Sequence, residues 1–475
     1  MRLSDRPGKS FSIGFPIAAL VILLIVLWLA GGGSRANVPG QIFVRATAWM
    51  VLIAALLAMK RPNMRAVRPV LLLLLASLGL ALLQLVPLPP GIWQALPGRD
   101  VFERAAVLAG ESQPWRPWAI VPAAAYNAAA SLVVPGVTLV LLAGLDERQA
   151  TWLPGIILTF IATATLPGLA QFAGAAFDNP LFNDTPGQVS GIFANRNHFA
   201  LLMAFGCLMA PVWAFANGSG VLWKMLTAPG LMMVFALTIL ATGSRAGLLV
   251  GVLAVVIGFV LTWRRIRHVL HRAPGWVFPT LIAGVIAAMA IVVLLSVAAD
   301  RAVSIDRVMA MDAGQDMRHR GLPTVIEMIR SYFPVGSGLG GFDPLFRMHE
   351  PFALLKPTYF NHAHNDFLEI VLDTGLVGLL LLITAIIWWG WASVRVWRDQ
   401  GDRVVLLARL GSAMILLVLL ASLFDYPART PTMMALLVVA AVWLAKGANR
   451  AAEVETADDL GFTARRHTSI AVDAR

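Results

Sequence analysis

The sequence has little charge and almost no cysteine. Only 13% of its 475 residues are charged, and the one cysteine, Cys207, falls inside an apolar run. A single cysteine excludes an intramolecular disulfide framework and a metal site built from several thiolates, and its apolar setting favours a packing role. The strict polar–apolar alternation that marks an outer-membrane barrel is also absent.

The excess of basic residues does not form a basic domain. Lys and Arg number 37 against 26 Asp and Glu, which gives a net charge of +11, but the positive charges are scattered through short loops. Proteins that bind nucleic acid concentrate such charges on one face or segment. We therefore expect no nucleic-acid partner and attribute the basic residues to membrane topology.

Long apolar runs dominate what is present. Hydrophobic residues make up 58% of the chain, and the mean hydropathy is +0.75. Runs of about 17 to 25 residues recur, each long enough to cross a hydrocarbon core of roughly 30 Å as a helix. Because unbroken apolar runs satisfy their backbone in lipid only as helices, the sequence predicts an all-α polytopic membrane protein with about twelve spans. The predicted spans are 15–30, 42–59, 70–86, 123–145, 152–173, 199–215, 231–241, 247–263, 276–298, 371–394, 404–423 and 433–444.

The loops between these runs alternate in basic content. Basic residues in short loops stay in the cytoplasm, so the loops that hold Lys60, Arg148, Lys224, residues 264–272 and residues 395–403 are predicted to be cytoplasmic. This assignment also puts both termini in the cytoplasm, with the run at 15–30 interpreted as a first span rather than a cleaved signal. The remaining loops, including a long one at about 299–362, face the periplasm. We expect a membrane domain over 1–450 and a disordered polar tail over 451–475.

Five polar segments fall on the predicted periplasmic side, at the mouths of apolar helices. Arginines placed where positive charge is disfavoured indicate an anionic partner such as phosphate. Taken singly, each arginine could equally cap a helix or reach lipid headgroups, and it is their grouping on one face that favours a site. The segments are 195–198 with Arg196, 242–245 with Arg245, 317–320 with Arg318 and Arg320, 361–366, and 425–429 with Asp425 and Arg429.

The segment 361–369 contains the strongest indication of chemistry. If it were helical from His362, that residue would share a face with Asp366, and Asn365 would share one with Glu369. A histidine oriented by a carboxylate can take a proton from a hydroxyl, and His364 is our first choice for this base, with His362 left open. The alternative is a helix N-terminus capped by Asn361 with the histidines at the headgroups. A metal site is less favoured, because residues two apart diverge on a helix.

A glycine-rich stretch, PVGSGLGGF at 334–342, superficially resembles a nucleotide loop. No strand precedes it, and it lies on the side of the membrane where nucleotides are not available, so we reject that reading. An anion-binding nest and a turn packed near helix ends both stay open.

Together, the segments resemble the O-antigen ligase and polymerase superfamily of bacterial inner-membrane proteins. The resemblance rests on SGIFANRNHF at 190–199, TGSRAG at 242–247, the stretch 334–342, HNDFLE at 364–369 followed by TGLVG at 374–378, and DYP at 425–427 with Arg429. It covers most of the chain, with a ligase-like core at about 185–430. It implies transfer of a glycan from undecaprenyl diphosphate to an acceptor hydroxyl, with no metal, nucleotide or other cofactor.

The resemblance also implies roles for individual residues. Arg196, Arg245 and Arg318 would hold the diphosphate, with Arg320 able to replace Arg318. His364 would be the base, oriented by Asn365 and Glu369. Asp425 and Arg429 match a family position whose role the sequence does not define, and we place them beside the substrate.

The acceptor is left open: a lipid A-core, a growing glycan or a protein are all compatible with this family. Two other functions compete with glycan transfer. A transporter for an anion or a lipid-linked sugar would place its polar site near mid-membrane, usually with a repeat between halves. A scaffold for envelope assembly would not need His364.

Overall fold

The computed structural model describes residues 14–175, 179–182, 187–215, 222–270, 283, 317–355, 360–399 and 403–472. Within them the chain is almost entirely helical, which confirms the predicted all-α fold. The two short strands, β1 (Pro87–Leu88) and β2 (Arg116–Pro117), pair antiparallel with Pro87 opposite Pro117. The helices are α1 Phe15–Ala30, α2 Pro39–Ala58, α3 Arg68–Leu83, α4 Pro90–Gln94, α5 Asp100–Leu108, α6 Pro122–Ser131, α7 Val133–Ala143, α8 Glu147–Phe172, α9 Arg196–Phe215, α10 Leu222–Thr242, α11 Arg245–Leu270, α12 Met317–Tyr332, α13 Phe342–His349, α14 Asp366–Arg398, α15 Arg403–Ala421 and α16 Pro431–Val472. Short 3-10 turns lie at Arg65–Val67, Phe352–Leu354 and Pro427–Arg429.

Ten helical segments of the described chain are long and apolar enough to cross a membrane. They correspond to α2, α3 with its preceding turn, α6 with α7, α8, α9, α10, α11, α14, α15 and the first part of α16. The shorter α1 matches the first predicted span. The predicted span at 276–298 and the first part of the long periplasmic loop lie outside the described residues, so the count of twelve stays a prediction.

Helix α16 continues beyond its span to Val472, and the expectation of a disordered tail stays a prediction. The initiation cost of a helix is already met when it extends from a packed span, so propagation through Ala- and Glu-containing sequence adds little cost. The division into a membrane domain and a separate tail stays a prediction.

Three helices form the centre of the bundle. Most of the apolar window of α9, α15 and α16 is buried within the protein: 89%, 72% and 83% respectively. Small residues let the neighbours of α9 approach closely: a Cβ on Gly206 would lie 2.6 Å from the ring of Phe235 in α10, and one on Gly247 of α11 would lie 2.3 Å from Ala200. Close helix packing through small residues is the usual means of association in lipid.

Helix α14 is broken inside its span at Gly375, which has φ 59° and ψ −143°. The glycine-rich stretch 334–342 packs into this break. Ser337 N donates to Leu372 O (2.9 Å), Gly338 N to Asp373 O (2.9 Å), and Leu376 N to Pro334 O (2.8 Å). A Cβ on Gly375 would lie 2.1 Å from Pro334 O, so glycine is required there by space as well as by its positive φ.

Two buried polar side chains hold the other side of this stretch. Gln84 connects the break in α14 to the stretch 334–342. Its side-chain amide donates to Asp373 O (3.0 Å) and accepts from Leu339 N (2.9 Å). Arg99, fully buried, donates to Gly336 O (3.2 Å) and Trp118 O (2.9 Å). The amides of Ser337, Gly338, Leu339 and Gly340 all have protein partners, so the structure favours the packed turn over an anion nest.

A second, smaller hydrophobic cluster covers the start of α14. Its members come from α12, α13, the turn at Phe352–Leu354, the segment 360–363 and Leu372 of α14. Phe342, Phe346 and Phe360 are in mutual ring contact, with centroids 5.1–5.9 Å apart. This aromatic group fixes the segment that leads into His362 and His364.

Candidate active site

The five polar segments predicted to form a site come together around one buried carboxylate, Asp425. Each lies at a helix end: at the N-termini of α9, α11, α12 and α14, and in the connection between α15 and α16. Asp425 is 2% exposed. Its neighbours come from three of the other four segments and are Asn195, Asn197, His198, Arg318 and His364, which with Asp425 we call the Asp425 network.

The two oxygens of Asp425 have different partners. Oδ2 accepts from Asn195 Nδ2 (3.0 Å) and from Asn197 Nδ2, and lies 3.6 Å from Arg318 Nη2. Oδ1 lies 3.3 Å from His364 Nδ1 and 3.7 Å from His198 Nε2. Burial alone would raise the pKa of Asp425, but its interactions with His198 and His364 hold that pKa well below the usual range. Asp425 is therefore ionised at neutral pH.

The fifth segment joins the network through Ser244. Its hydroxyl donates to Asn197 Oδ1 (2.7 Å) and accepts from Gly247 N (2.9 Å), which caps the start of α11. Arg245 follows Ser244 and is exposed, while Arg196 lies between the two asparagines that hold Asp425. Arg318 is therefore part of the network. Arg196 is adjacent in sequence to two of its members, and Arg245 is adjacent to Ser244, which binds Asn197.

His364 is held in an uncommon conformation. Its φ is +51°, and it is the one non-glycine residue of the described ranges with positive φ. Such backbone geometry costs energy and tends to occur at functional sites. Its ring packs against Phe360 and Tyr426, each with a centroid distance of 5.1 Å, and 17% of its side chain is exposed. The ring is therefore held by two aromatic neighbours while part of its surface stays exposed.

A second network is centred on Arg429. Arg429 Nη1 lies 3.1 Å from Glu369 Oε1 and 3.5 Å from Asp373 Oδ2, and Nε donates to Asp366 Oδ1 (3.0 Å). Glu369 also binds His362 Nδ1 (2.8 Å) and accepts from Ala363 N (2.8 Å). Burial alone would lower the pKa of Arg429, but the three carboxylates raise it above its usual value. We call Arg429, Asp366, Glu369, Asp373 and His362 the Arg429 network.

Tyr426 lies between the two networks. Its ring centroid is 4.0 Å from that of His362 and 5.1 Å from those of His364 and His198. Its hydroxyl accepts from Asn361 Nδ2 (3.3 Å). Burial, and then the charge of Asp425, raise the pKa of Tyr426, so its hydroxyl stays protonated.

The pairing within 361–369 differs from the expectation. Helix α14 begins at Asp366, with Asn365 as its cap: Asn365 Oδ1 accepts from Leu368 N (3.1 Å) and Nδ2 donates to Leu423 O (3.1 Å). Because His362 and His364 precede the helix, helical spacing does not determine their partners. Glu369 therefore contacts His362, and the carboxylate at His364 is Asp425, from a segment 61 residues away.

Two arginines predicted to bind substrate have other contacts. Arg320 is directed to the turn after α13, where Nη2 donates to Ala353 O (2.8 Å). Arg429 is occupied by the three carboxylates of its network. Several residues of the site have no role predicted from the sequence. Asn195, Asn197, His198, Ser244 and Tyr426 lie inside the five polar segments, whereas Asp373 lies in an apolar run.

The fold and this arrangement define a multi-pass α-helical membrane protein with a histidine–carboxylate–arginine site at the helix ends. Residues 230–383, about a third of the chain, match the family model described as O-antigen ligase. This match shows that the segment is similar to O-antigen ligases and confirms the resemblance there. No match occurs among curated proteins. The matched segment contains Arg245, Arg318, Arg320, His362, His364, Asn365 and Glu369, whereas Arg196, Asp425 and Arg429 lie outside it.

The match supports glycan transfer of the O-antigen ligase or polymerase type, with a lipid-linked glycan and a glycan acceptor as the general substrates. Together with the apolar helices, it indicates a multi-pass protein of the bacterial inner membrane.

Proposed function

We propose that this protein transfers a glycan from undecaprenyl diphosphate to an acceptor hydroxyl at the periplasmic face, with His364 as the general base. The observation that carries the proposal is the contact between His364 Nδ1 and the buried, ionised Asp425 (3.3 Å). A carboxylate at Nδ1 keeps the proton on that nitrogen, which leaves Nε2 unprotonated and able to accept a proton.

The reaction transfers one proton and exchanges one bond. Nε2 of His364 takes the proton of the acceptor hydroxyl as its oxygen forms a bond to the anomeric carbon. The bond from that carbon to the diphosphate oxygen breaks, and the diphosphate leaves with the bonding electrons. Asp425 stabilises the resulting imidazolium, and Arg196, Arg245 and Arg318 stabilise the charge that develops on the diphosphate.

The charge of the two networks supports the same assignment. Arg318 lies 3.6 Å from Asp425, and Arg196 and Arg245 are adjacent in sequence to Asn197 and Ser244, so the arginines of these segments outnumber the single carboxylate and favour a diphosphate there. Around Arg429, three buried carboxylates outnumber one arginine, so an anion is repelled. His362, paired with Glu369, therefore lies on the unfavourable side and acts to position Tyr426 and His364.

The acceptor is a lipid A-core, a growing glycan or a protein, and the site does not distinguish them. The proposal requires neither a metal ion nor a nucleotide. One assay identifies the acceptor and tests the need for a metal ion or a nucleotide. Purified protein is given a labelled undecaprenyl-diphosphate glycan, with EDTA and without nucleotide, and each acceptor is offered separately.

The test of the base compares three histidine variants in that assay. We expect His364→Ala to lower transfer by a factor on the order of 10²–10⁴, the usual contribution of a general base. His362→Ala should be less affected, and His268→Ala, an exposed residue at the far end of α11, should retain full transfer. Full activity of a folded His364→Ala protein would contradict the assignment, and His362→Ala as the most damaged variant would move the base to His362.

Transport of a lipid-linked sugar is a second candidate, favoured by one observation. Helix α14 is broken inside its span at Gly375, two residues after the buried Asp373, and transporters use broken helices at their binding sites. Here the break is filled by the stretch 334–342, which argues against an open binding site. Movement of labelled donor across proteoliposomes in the absence of acceptor, with no covalent product, would favour transport.

A further inference from the structure

A groove lined by residues of five helices lies away from the candidate active site. It has a volume of about 950 Å³ and runs between α1 and α8, with one end closed by residues of α9 and α10. Its walls are mostly apolar and include Ile25, Trp28 and Phe160. Ile25 is 54% exposed, so the groove opens towards the lipid.

The length of the groove fits one leaflet of a bilayer. Lining residues on α8 extend from Thr151 to Thr163, a separation of twelve positions, or about 18 Å along the helix axis. One leaflet contributes roughly 15 Å of hydrocarbon, half of a core of about 30 Å. An acyl chain that enters at one membrane surface therefore fills the groove along most of its length.

Basic and aromatic side chains mark one end. Arg403 Nη2 donates to Thr151 O (2.9 Å), and Lys224 Nζ lies 5.0 Å from the ring centroid of Trp213 and 5.7 Å from that of Trp223. None of the described residues that line the groove is acidic. Tryptophan with Lys or Arg is typical of the headgroup level, and basic pockets between membrane helices bind anionic headgroups.

This end lies far from the transferase site. Arg196 begins α9 at the Asp425 network, and Trp213 follows it by 17 residues, or about 26 Å along the axis. Lys224 and Arg403 also belong to loops predicted to be cytoplasmic. A diphosphate bound for transfer at Asp425 cannot reach them, so these basic residues are not explained by the donor of the transfer reaction.

We propose that the groove binds an anionic phospholipid of the cytoplasmic leaflet. One acyl chain lies between α1 and α8, and the phosphate is held by Lys224 and Arg403. The bound lipid fills the gap between α1 and the rest of the bundle. The site is independent of the proposed transfer reaction, and its test needs no transfer assay.

The test uses full-length protein in detergent, with phosphatidylglycerol or phosphatidylcholine of the same acyl chains added after delipidation. Native mass spectrometry counts the lipid retained, and thermal unfolding measures its effect. We expect the protein to retain one phosphatidylglycerol in preference to phosphatidylcholine and to unfold at a higher temperature with it. In the double variant Lys224→Gln/Arg403→Gln, the ratio of retained phosphatidylglycerol to retained phosphatidylcholine should fall at least tenfold.

Two further variants separate headgroup, chain and folding effects. Lys60→Gln/Arg61→Gln removes the same two charges from exposed positions of another predicted cytoplasmic loop and should leave the preference unchanged. Thr159→Trp, at an exposed position in the groove wall, should exclude the acyl chain and abolish retention while both basic residues remain. Equal retention of both lipids by the unaltered protein, an unchanged preference in Lys224→Gln/Arg403→Gln, or unchanged retention by Thr159→Trp would overturn the proposal.

Discussion

The Asp425 and Arg429 networks are adjacent and share Tyr426, yet their charges are arranged in opposite ways. In the Arg429 network one guanidinium is surrounded by three carboxylates that are 0–5% exposed, so its donors are directed inward. In the Asp425 network one buried carboxylate is surrounded by donors, and the arginine among them, Arg318, keeps 35% of its side chain exposed, against 19% for Arg429. The first arrangement holds helices together, and the second leaves cationic groups available to a ligand.

The contrast shows why a count of charged residues does not locate the reaction. Both networks combine histidine, arginine and carboxylate, and the shorter histidine–carboxylate contact is in the Arg429 network, 2.8 Å against 3.3 Å. What differs is the sign of the surrounding charge and the exposed fraction of the arginine side chain, which is larger for Arg318 than for Arg429. Variants that change one network and spare the other test this distinction.

The largest effect is expected from Asp425→Asn. The amide keeps the size of the side chain but cannot stabilise an imidazolium at His364, so transfer should fall by a factor on the order of 10²–10⁴. That factor corresponds to roughly 3–5 kcal/mol of barrier. The measurement is the rate of glycan transfer by folded protein. Glu369→Gln is the matched change in the other network, and a greater loss there than in Asp425→Asn would reverse the assignment.

Arg429→Ala should act on stability rather than on chemistry. It leaves three buried carboxylates without their cation, and removing one partner of a buried pair costs about 3–5 kcal/mol. The measurement is thermal unfolding in detergent together with the yield of folded protein. Arg347, whose ion pair with Asp343 is exposed, provides the control: Arg347→Ala should cost less than about 1 kcal/mol. Similar losses in both variants would mean that the Arg429 network is not a structural element.

Gly375→Ala should disturb the Arg429 network through the backbone. A Cβ would lie 2.1 Å from Pro334 O at a φ of +59°, and the resulting strain displaces Asp373, which precedes the break. A cost of about 1–3 kcal/mol is expected for a residue forced into such a conformation. Gly390 lies in the same helix with open space around its Cβ position, so Gly390→Ala should be neutral or stabilising by up to about 1 kcal/mol. Thermal unfolding of the pair distinguishes strain at the break from a general effect of alanine in α14.

Much of the fold follows from hydropathy, because each span is a long apolar run with polar ends. The convergence of the five polar segments was also predictable, since all of them lie on loops assigned to one side. The pairing within the site was not. His362 and His364 precede α14, and the partner of His364 comes from a segment 61 residues away, so no local periodicity specifies it.

The partner of the stretch 334–342 was likewise not predictable from local sequence. Its glycines indicate unusual backbone and close approach, but they do not identify what approaches. The partner is the break at Gly375, and that break depends on Gln84 and Arg99, which come from the segment 84–118. Interactions of this kind are set by tertiary packing, which single-sequence patterns do not encode.

The smallest effect is expected from Arg245→Lys, which tests whether an exposed arginine beside the Asp425 network binds the diphosphate. Arg245 is exposed beside Ser244, so the change should leave folding intact. Lysine keeps the charge but lacks the planar pair of donors that matches a phosphate, and a loss of about tenfold in transfer, roughly 1.4 kcal/mol, is expected. Arg320→Lys, whose arginine binds the carbonyl of Ala353, is the matched control and should transfer normally. The deciding measurement is transfer rate against donor concentration. A loss confined to Arg245→Lys assigns the phosphate contact to Arg245, whereas equal rates in both variants would remove Arg245 from the donor site and leave Arg196 and Arg318 to hold the diphosphate.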